Sequence, residues 1–177
     1  MEKILIAVDM QKDFINGSLG SEQARAIIPN VKNKIRQYEQ DGGNIFFTQD
    51  THGENYLKTQ EGRNLPVKHC IKGTEGWEIY EGLTDVVSTP YCVTKYTFGY
   101  TGWAKVFAAI LYAPDYEFEL CGLCTDICVV SNALILKSLY PEAKITVDAS
   151  CCAGVTEESH KAALLTMKMC QINIINE

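Results

Sequence analysis

The chain has 177 residues, with 46% hydrophobic and 21% charged side chains, a balance that fits one globular domain. It excludes a disordered chain, a collagen-like repeat and a coiled coil. Lys plus Arg is 16 and Asp plus Glu is 22, a formal net charge of −6, which argues against nucleic acid as a partner because phosphate affinity needs clustered cations.

The N-terminus runs from Met1-Glu2-Lys3 straight into Ile4-Leu5-Ile6-Ala7-Val8. That stretch is too short for a signal-peptide core and lacks a basic leader and a small-residue cleavage site. No apolar run reaches the roughly 18 residues of a membrane span. A cytoplasmic protein with no membrane partner is therefore expected, with residues 3–8 as a buried strand. Residues 29–41 read as a helix, with Pro29 in its first turn and Gly42-Gly43 ending it. Strand 45–48 follows, then residues 50–82 without clear periodicity, a length that usually signals function. Residues 85–87 read as a third, short strand, and 91–101 are mixed. Helix 103–112, strand 116–121, helix 127–139, strand 144–147, helix 156–170 and strand 172–175 complete the chain. Thr156 is the candidate cap of the last helix, with Glu157 and Glu158 in its first turn. Short apolar strands alternating with helices predict a single α/β domain over 1–177, with three α/β/α layers and a mainly parallel central sheet. Ligands in such sheets sit beyond the carboxyl ends of the strands. That points to Asp9, to Asp50 and to the 122–128 turn.

Each of these places has a chemical and a plain reading. Cys128 falls in the first turn of an apolar helix, where unpaired N–H groups favour a thiolate and can hold an oxyanion. It is equally a buried thiol packing the helix start. Asp9 directly follows a buried strand and is either a general base or a loop-start Asp bonding its own backbone. Lys95, among aromatics, is a solvated cation unless it meets Asp9. Asp50-Thr51-His52 and His69 offer one carboxylate and two imidazoles, a metal-ligand set or an exposed loop. His160 lies inside the last helix and has no assigned role.

Val8-Asp9-Met10-Gln11-Lys12-Asp13-Phe14, with Gly17-Ser18-Leu19 after it, resembles the opening signature of the isochorismatase-like cysteine hydrolases, nearest their nicotinamidase branch. Further segments agree in family order: Asp50-Thr51-His52; Leu65-Pro66-Val67-Lys68-His69-Cys70 with Gly73-Thr74 and Gly76; Lys95 with Phe98; and Gly122-Leu123-Cys124-Thr125-Asp126-Ile127-Cys128-Val129. Each segment is weak singly, but their order and gaps make a specific pattern over about residues 3–155. The resemblance implies a catalytic triad of Asp9, Lys95 and Cys128. It implies a divalent metal, zinc or else iron or manganese, on Asp50, His52 and His69, holding the pyridine nitrogen of nicotinamide. It implies a cis peptide at Leu123–Cys124 and an oxyanion site formed by the Cys124 and Cys128 N–H groups. Phe14 is the candidate to stack on the substrate ring. The implied activity is hydrolysis of nicotinamide through a Cys128 thioester, or of a related small amide or carbamoyl compound, by a protein that is often a homo-oligomer. Some nicotinamidases carry a further histidine just after the Asp-x-His. Here Gly53-Glu54-Asn55-Tyr56-Leu57-Lys58 has none, leaving three protein ligands plus water, or help from Glu54.

Rival classes remain. Cys121-Gly-Leu-Cys124 is formally a C-x-x-C for a thiol redox or metal-binding protein, with Cys151-Cys152 as extra thiols. A redox nucleophile sits at a helix N-terminus, whereas Cys121 ends a strand. A non-catalytic binding protein would commonly have lost a triad member. Vinyl-ether cleavage would need neither Cys128 nor the metal ligands.

Overall fold

A computed structural model describes residues 2–111 and 115–177. Its centre is a sheet of β1 (Glu2–Val8), β2 (Asn44–Asp50), β3 (Tyr91–Lys95), β4 (Tyr116–Leu123), β5 (Lys144–Ala153) and β6 (Asn173–Ile175). The strands are all parallel, in the order β3-β2-β1-β4-β5-β6. Side chains alternate between faces along a strand, and β1 shows what this does here. Ile4, Ile6 and Val8 enter one apolar layer with Phe46, Trp103 and Phe107. Leu5 and Ala7 enter the opposite layer with Ile15, Val31 and Ile35. Both faces are dry, so β1 has to be apolar at every central position.

The second layer is supplied by α1 (Lys12–Ile15), α2 (Glu22–Ala26) and α3 (Ile28–Gln40). The first is covered by α5 (Trp103–Ile110), α6 (Val130–Leu139) and α7 (Glu157–Met169). This is the expected three-layer α/β/α arrangement. The chain runs outward from β1 to β2 and β3, then crosses to β4 on the other side of β1. That reversal opens a crevice at the carboxyl ends of β1 and β4. Gly122 sits there at φ 115°, and a Cβ on it would meet the Val8 carbonyl oxygen at 2.2 Å.

Several expected elements shift. Residues 85–87 form a turn, and the third strand is Tyr91–Lys95. Val86 and Val87 pack on the core from that turn. The true strand was masked because it ends on a lysine that points inward. The 50–82 segment holds one-turn 3-10 helices at Tyr56–Lys58 and Glu75–Trp77, and a short helix, α4 (Gln60–Asn64). Thr59 caps α4 by accepting from the Gly62 N–H at 3.0 Å. The helix expected at 127 instead begins with a wide π-type turn, Thr125–Val129, that runs into α6. Thr156 caps α7 as expected, in a reciprocal pair with Ser159. Tyr112 and Pro114, the expected end of helix 103–112, lie outside the described residues. No helix among the described residues is long and apolar enough to cross a membrane.

Candidate active site

Three strand ends bring the polar side chains together. Asp9 leaves β1 at φ 47°, a left-handed conformation that Asp tolerates better than most residues. Thr48 of β2 fixes it twice. The Thr48 hydroxyl donates to Asp9 Oδ1 at 2.6 Å, and the Asp9 N–H donates to the same hydroxyl at 3.1 Å. Lys95, at the end of β3, is paired with Asp50 in the β2–β3 register. Its Nζ stands 2.7 Å from Asp9 Oδ2, 3.0 Å from Asp50 Oδ1 and 3.4 Å from Cys128 Sγ. Asp9 and Lys95 are buried, and Cys128 is 6% exposed. The three residues of the expected triad are therefore in one cluster, with Asp50 joined to it through the lysine.

Burial pushes the Asp9 carboxyl up, against the pull of Lys95. Burial alone would lower the Lys95 ammonium, but Asp9, Cys128 and Asp50 outweigh it and raise it. For Cys128 the buried-thiol environment is the one observed. Burial, then the Asp9 charge, pushes its thiol well above the ordinary value despite Lys95. A thiol pushed up in this way calls for a base beside it. Asp9 Oδ2 is suited to that task, because it faces Lys95 as an ion pair yet has no hydrogen bond of good geometry.

Beside this cluster, Asp50, His52, Glu61 and His69 hold their ligand atoms within 4.8 Å of one another. His52 Nε2 is 2.9 Å from Asp50 Oδ2 and 3.6 Å from Glu61 Oε1, while His69 Nε2 is 3.7 and 3.8 Å from the same atoms. Tetrahedral ligands on bonds of about 2.1 Å stand about 3.4 Å apart, so the set fits one small divalent ion. His69 Nδ1 lies 2.8 Å from the Val67 carbonyl. That fixes the tautomer and leaves Nε2 for a metal. Burial would raise the Asp50 carboxyl, but His52 and Lys95 outweigh it and hold it low. Gln11 fixes the backbone here. Its amide donates to the Asp50 carbonyl at 2.9 Å and accepts from the Asp50 N–H at 2.7 Å.

Glu61, not Glu54, is the fourth group of the set and its second carboxylate. Glu54 points to the surface and pairs with Lys68 at 3.3 Å. Sequence reading missed Glu61 because α4 was hidden in an unpatterned stretch. A capping threonine followed by an acidic first turn, Thr59-Gln60-Glu61, was the available signal.

A cavity of about 460 Å³ joins the two groups. Cys128, Asp50, Glu61 and His69 line it together with apolar Phe14, Leu65, Phe98 and Ile127. Phe14 lies with its ring centroid 5.5 Å from that of His69. The Leu123–Cys124 peptide is cis. Cys121, by contrast, is a wholly buried β4 residue. Burial, with Cys151 and Cys152 beside it, drives its thiol far up, and Cys124 is pushed up to about 12, chiefly by burial. Thiols raised in this way do not suit a redox pair, whose nucleophile needs a lowered value.

The isochorismatase domain matches residues 3–176. The isochorismatase family protein PncA of Bacillus subtilis is 28% identical over 174 residues, covering 93% of each chain. The crystal structure of nicotinamidase/pyrazinamidase PncA from B. subtilis superposes with a TM-score of 0.85 at 26% identity, over 99% of this chain and 100% of that one. The zinc complex of the Pyrococcus horikoshii pyrazinamidase gives a TM-score of 0.83 at 28% identity, over 100% of both chains. With this coverage behind the site geometry, the chain belongs to the isochorismatase family.

Proposed function

We propose that the chain is a cysteine-dependent amidohydrolase that converts nicotinamide and water to nicotinate and ammonia. The observation that carries this reading is the Lys95 ammonium held against Asp9, Cys128 and Asp50, the last two of which line the cavity. The PncA relatives named above point to the same chemistry.

Asp9 Oδ2 takes the thiol proton of Cys128 as the sulfur attacks the amide carbon. Lys95 balances the charge that Asp9 and the sulfur share. The carbonyl oxygen becomes an oxyanion within reach of the Cys124 and Cys128 N–H groups. The Cys128 N–H lies in the Thr125–Val129 turn that leads into α6, and the first N–H groups of a helix are those left to hold an anion. Asp9 returns its proton to the leaving nitrogen, the C–N bond breaks and ammonia departs. A thioester remains on Cys128. Water, its proton taken by Asp9, attacks that carbonyl, the C–S bond breaks, Asp9 returns the proton to the Cys128 sulfur, and the acid leaves as nicotinate and a proton. Phe14 stacks on the ring from the cavity wall. Asp50, His52, Glu61 and His69 would hold a divalent ion, zinc by the donor set with iron or manganese as alternatives, which when bound supplies a Lewis-acid site for the pyridine nitrogen. All eight cysteines are free, which suits a reducing cytoplasmic location.

The test is ammonia release from nicotinamide by purified protein, with and without chelator, beside Cys128→Ala. The reading predicts release that vanishes in the variant, falls on chelation and returns with added zinc. Full release by Cys128→Ala overturns the mechanism. No release, with Cys128 still selectively alkylated, redirects the substrate to another small amide.

A further inference from the structure

The third histidine of the chain lies outside the metal cluster, against the turn that carries the nucleophile. His160, in the first turn of α7, has its Nδ1 2.8 Å from the Thr125 hydroxyl. Thr125 is wholly buried and opens the Thr125–Val129 turn. Two further ties join this turn to the same end of α7. The Asp126 carboxylate accepts from the Val155 N–H at 3.1 and 3.2 Å, and from the Ser159 hydroxyl. Gly154 lines the cavity, and a Cβ on it would meet His160 Cβ at 2.8 Å. His160 is thus packed directly behind the cavity wall.

A buried hydroxyl needs an acceptor for its proton. Among the described residues, His160 is the side-chain partner of Thr125. A neutral ring with its proton on Nε2 offers Nδ1 as that acceptor. A ring protonated on both nitrogens cannot, and the Thr125 proton would be stranded in a dry site. The groups that face the ring are Asp126 from the turn and Glu157 and Lys161 from α7. Burial, the largest influence, favours the neutral ring, Asp126 and Glu157 oppose this, Lys161 supports it, and the net direction is downward.

We propose that His160 is a positioning residue for Cys128: its neutral ring accepts the Thr125 hydroxyl and so holds the 124–128 turn in register with the substrate carbonyl. The role rests on reading Cys128 as the nucleophile. It makes the last helix part of the active site without any contact with substrate.

The test compares His160→Ala, which removes the acceptor, with His160→Asn, whose Oδ1 takes the place of Nδ1 but does not titrate. Steady-state hydrolysis of nicotinamide is followed from pH 5 to 8 with saturating zinc, beside iodoacetamide alkylation of Cys128 and thermal melts. For His160→Ala, kcat is expected to fall about tenfold with KM changed less than about twofold, the scale of one buried hydrogen bond lost in the transition state. His160→Asn is expected to recover neutral-pH kcat to within about threefold and to lose an acid-side inflection present in the wild type. Identical kcat and pH profiles in all three proteins overturn the proposal. Equal losses in both variants that track the melting temperature also overturn it, as a purely structural role. If wild type releases no ammonia, the amidase reading fails separately and alkylation decides. A rate altered in His160→Ala and restored in His160→Asn supports positioning, and equal rates overturn it.

Discussion

Replacing Lys95 with methionine tests whether the buried charges are arranged as described. Methionine keeps much of the stem and removes the ammonium 2.7 Å from Asp9 and 3.0 Å from Asp50. Two carboxylates, at 0% and 4% exposure, then face each other without that cation. Breaking a buried ion pair costs about 3–5 kcal/mol. A second route gives the same scale. Asp9 can escape by taking a proton, and forcing that at pH 7 on a group whose unfolded pKa is near 3.9 costs about 4 kcal/mol, at about 1.4 kcal/mol per unit. For a chain of this size each kcal/mol moves the melting temperature by about 2–4 °C, so Lys95→Met should melt about 8–16 °C lower. In the variant the folded state binds the extra proton and the unfolded state does not. The deficit must therefore shrink as pH falls, by about 1.4 kcal/mol per unit between pH 7 and 5. Thermal unfolding by circular dichroism in chelator measures both quantities. Adding Asp9→Asn to the variant should restore much of the stability at pH 7. A melting temperature within about 2 °C of wild type, smaller than any of these charge costs, refutes the arrangement. So does a deficit that does not change between pH 7 and 5.

Other outcomes follow from the same geometry. Glu61→Gln should weaken zinc binding at least about tenfold in a chelator-competition titration, whereas Glu54→Gln should leave it unchanged. Gly122→Ala forces a Cβ to within 2.2 Å of the Val8 carbonyl oxygen, and should destabilise by more than about 3 kcal/mol in urea unfolding. Asp148 is buried in the chain. Burial alone would raise its carboxyl, but Lys34, Ser150 and Asn176 outweigh it and hold it low. Its contribution is therefore present above the unfolded value near 3.9 and lost as pH falls through the depressed folded value. Asp148→Asn should be less stable than wild type at pH 7, with the gap closing below about pH 4 in acid-unfolding curves.

What the sequence made legible follows from how local each signal is. The apolar run at 3–8 read directly as a buried strand, and Asp9 at its end lay where a sheet of this kind places its ligands, though spacing alone left open whether it faces the crevice or bonds its own backbone. Asp50 and His52 are two residues apart after a second such run, so their proximity was readable from spacing. Lys95 was not readable from its own surroundings. Among Tyr96 and Phe98 it reads as a solvated cation, and only the family resemblance placed it inside. The same inward lysine displaced the third strand to residues 85–87, because a buried charge breaks the apolar pattern that marks a strand. Glu61 escaped because α4 is a single short turn, fixed by a threonine cap rather than by periodicity. The ties that bind one wall of the site to another are non-local. Thr48 reaches Asp9 across 39 positions, and His160 reaches Thr125 across 35. No window of sequence contains such a pair.

The most direct test of the central claim is the mass of the protein caught in the act. The chain, mixed with excess nicotinamide and quenched in acid within the first turnovers, is digested and its peptides are weighed. The account predicts a nicotinoyl group on the peptide containing Cys128, lost on treatment with hydroxylamine and absent from Cys128→Ser. Turnover of nicotinamide by Cys128→Ser at the wild-type rate, or a nicotinoyl group on any residue other than Cys128, would contradict it.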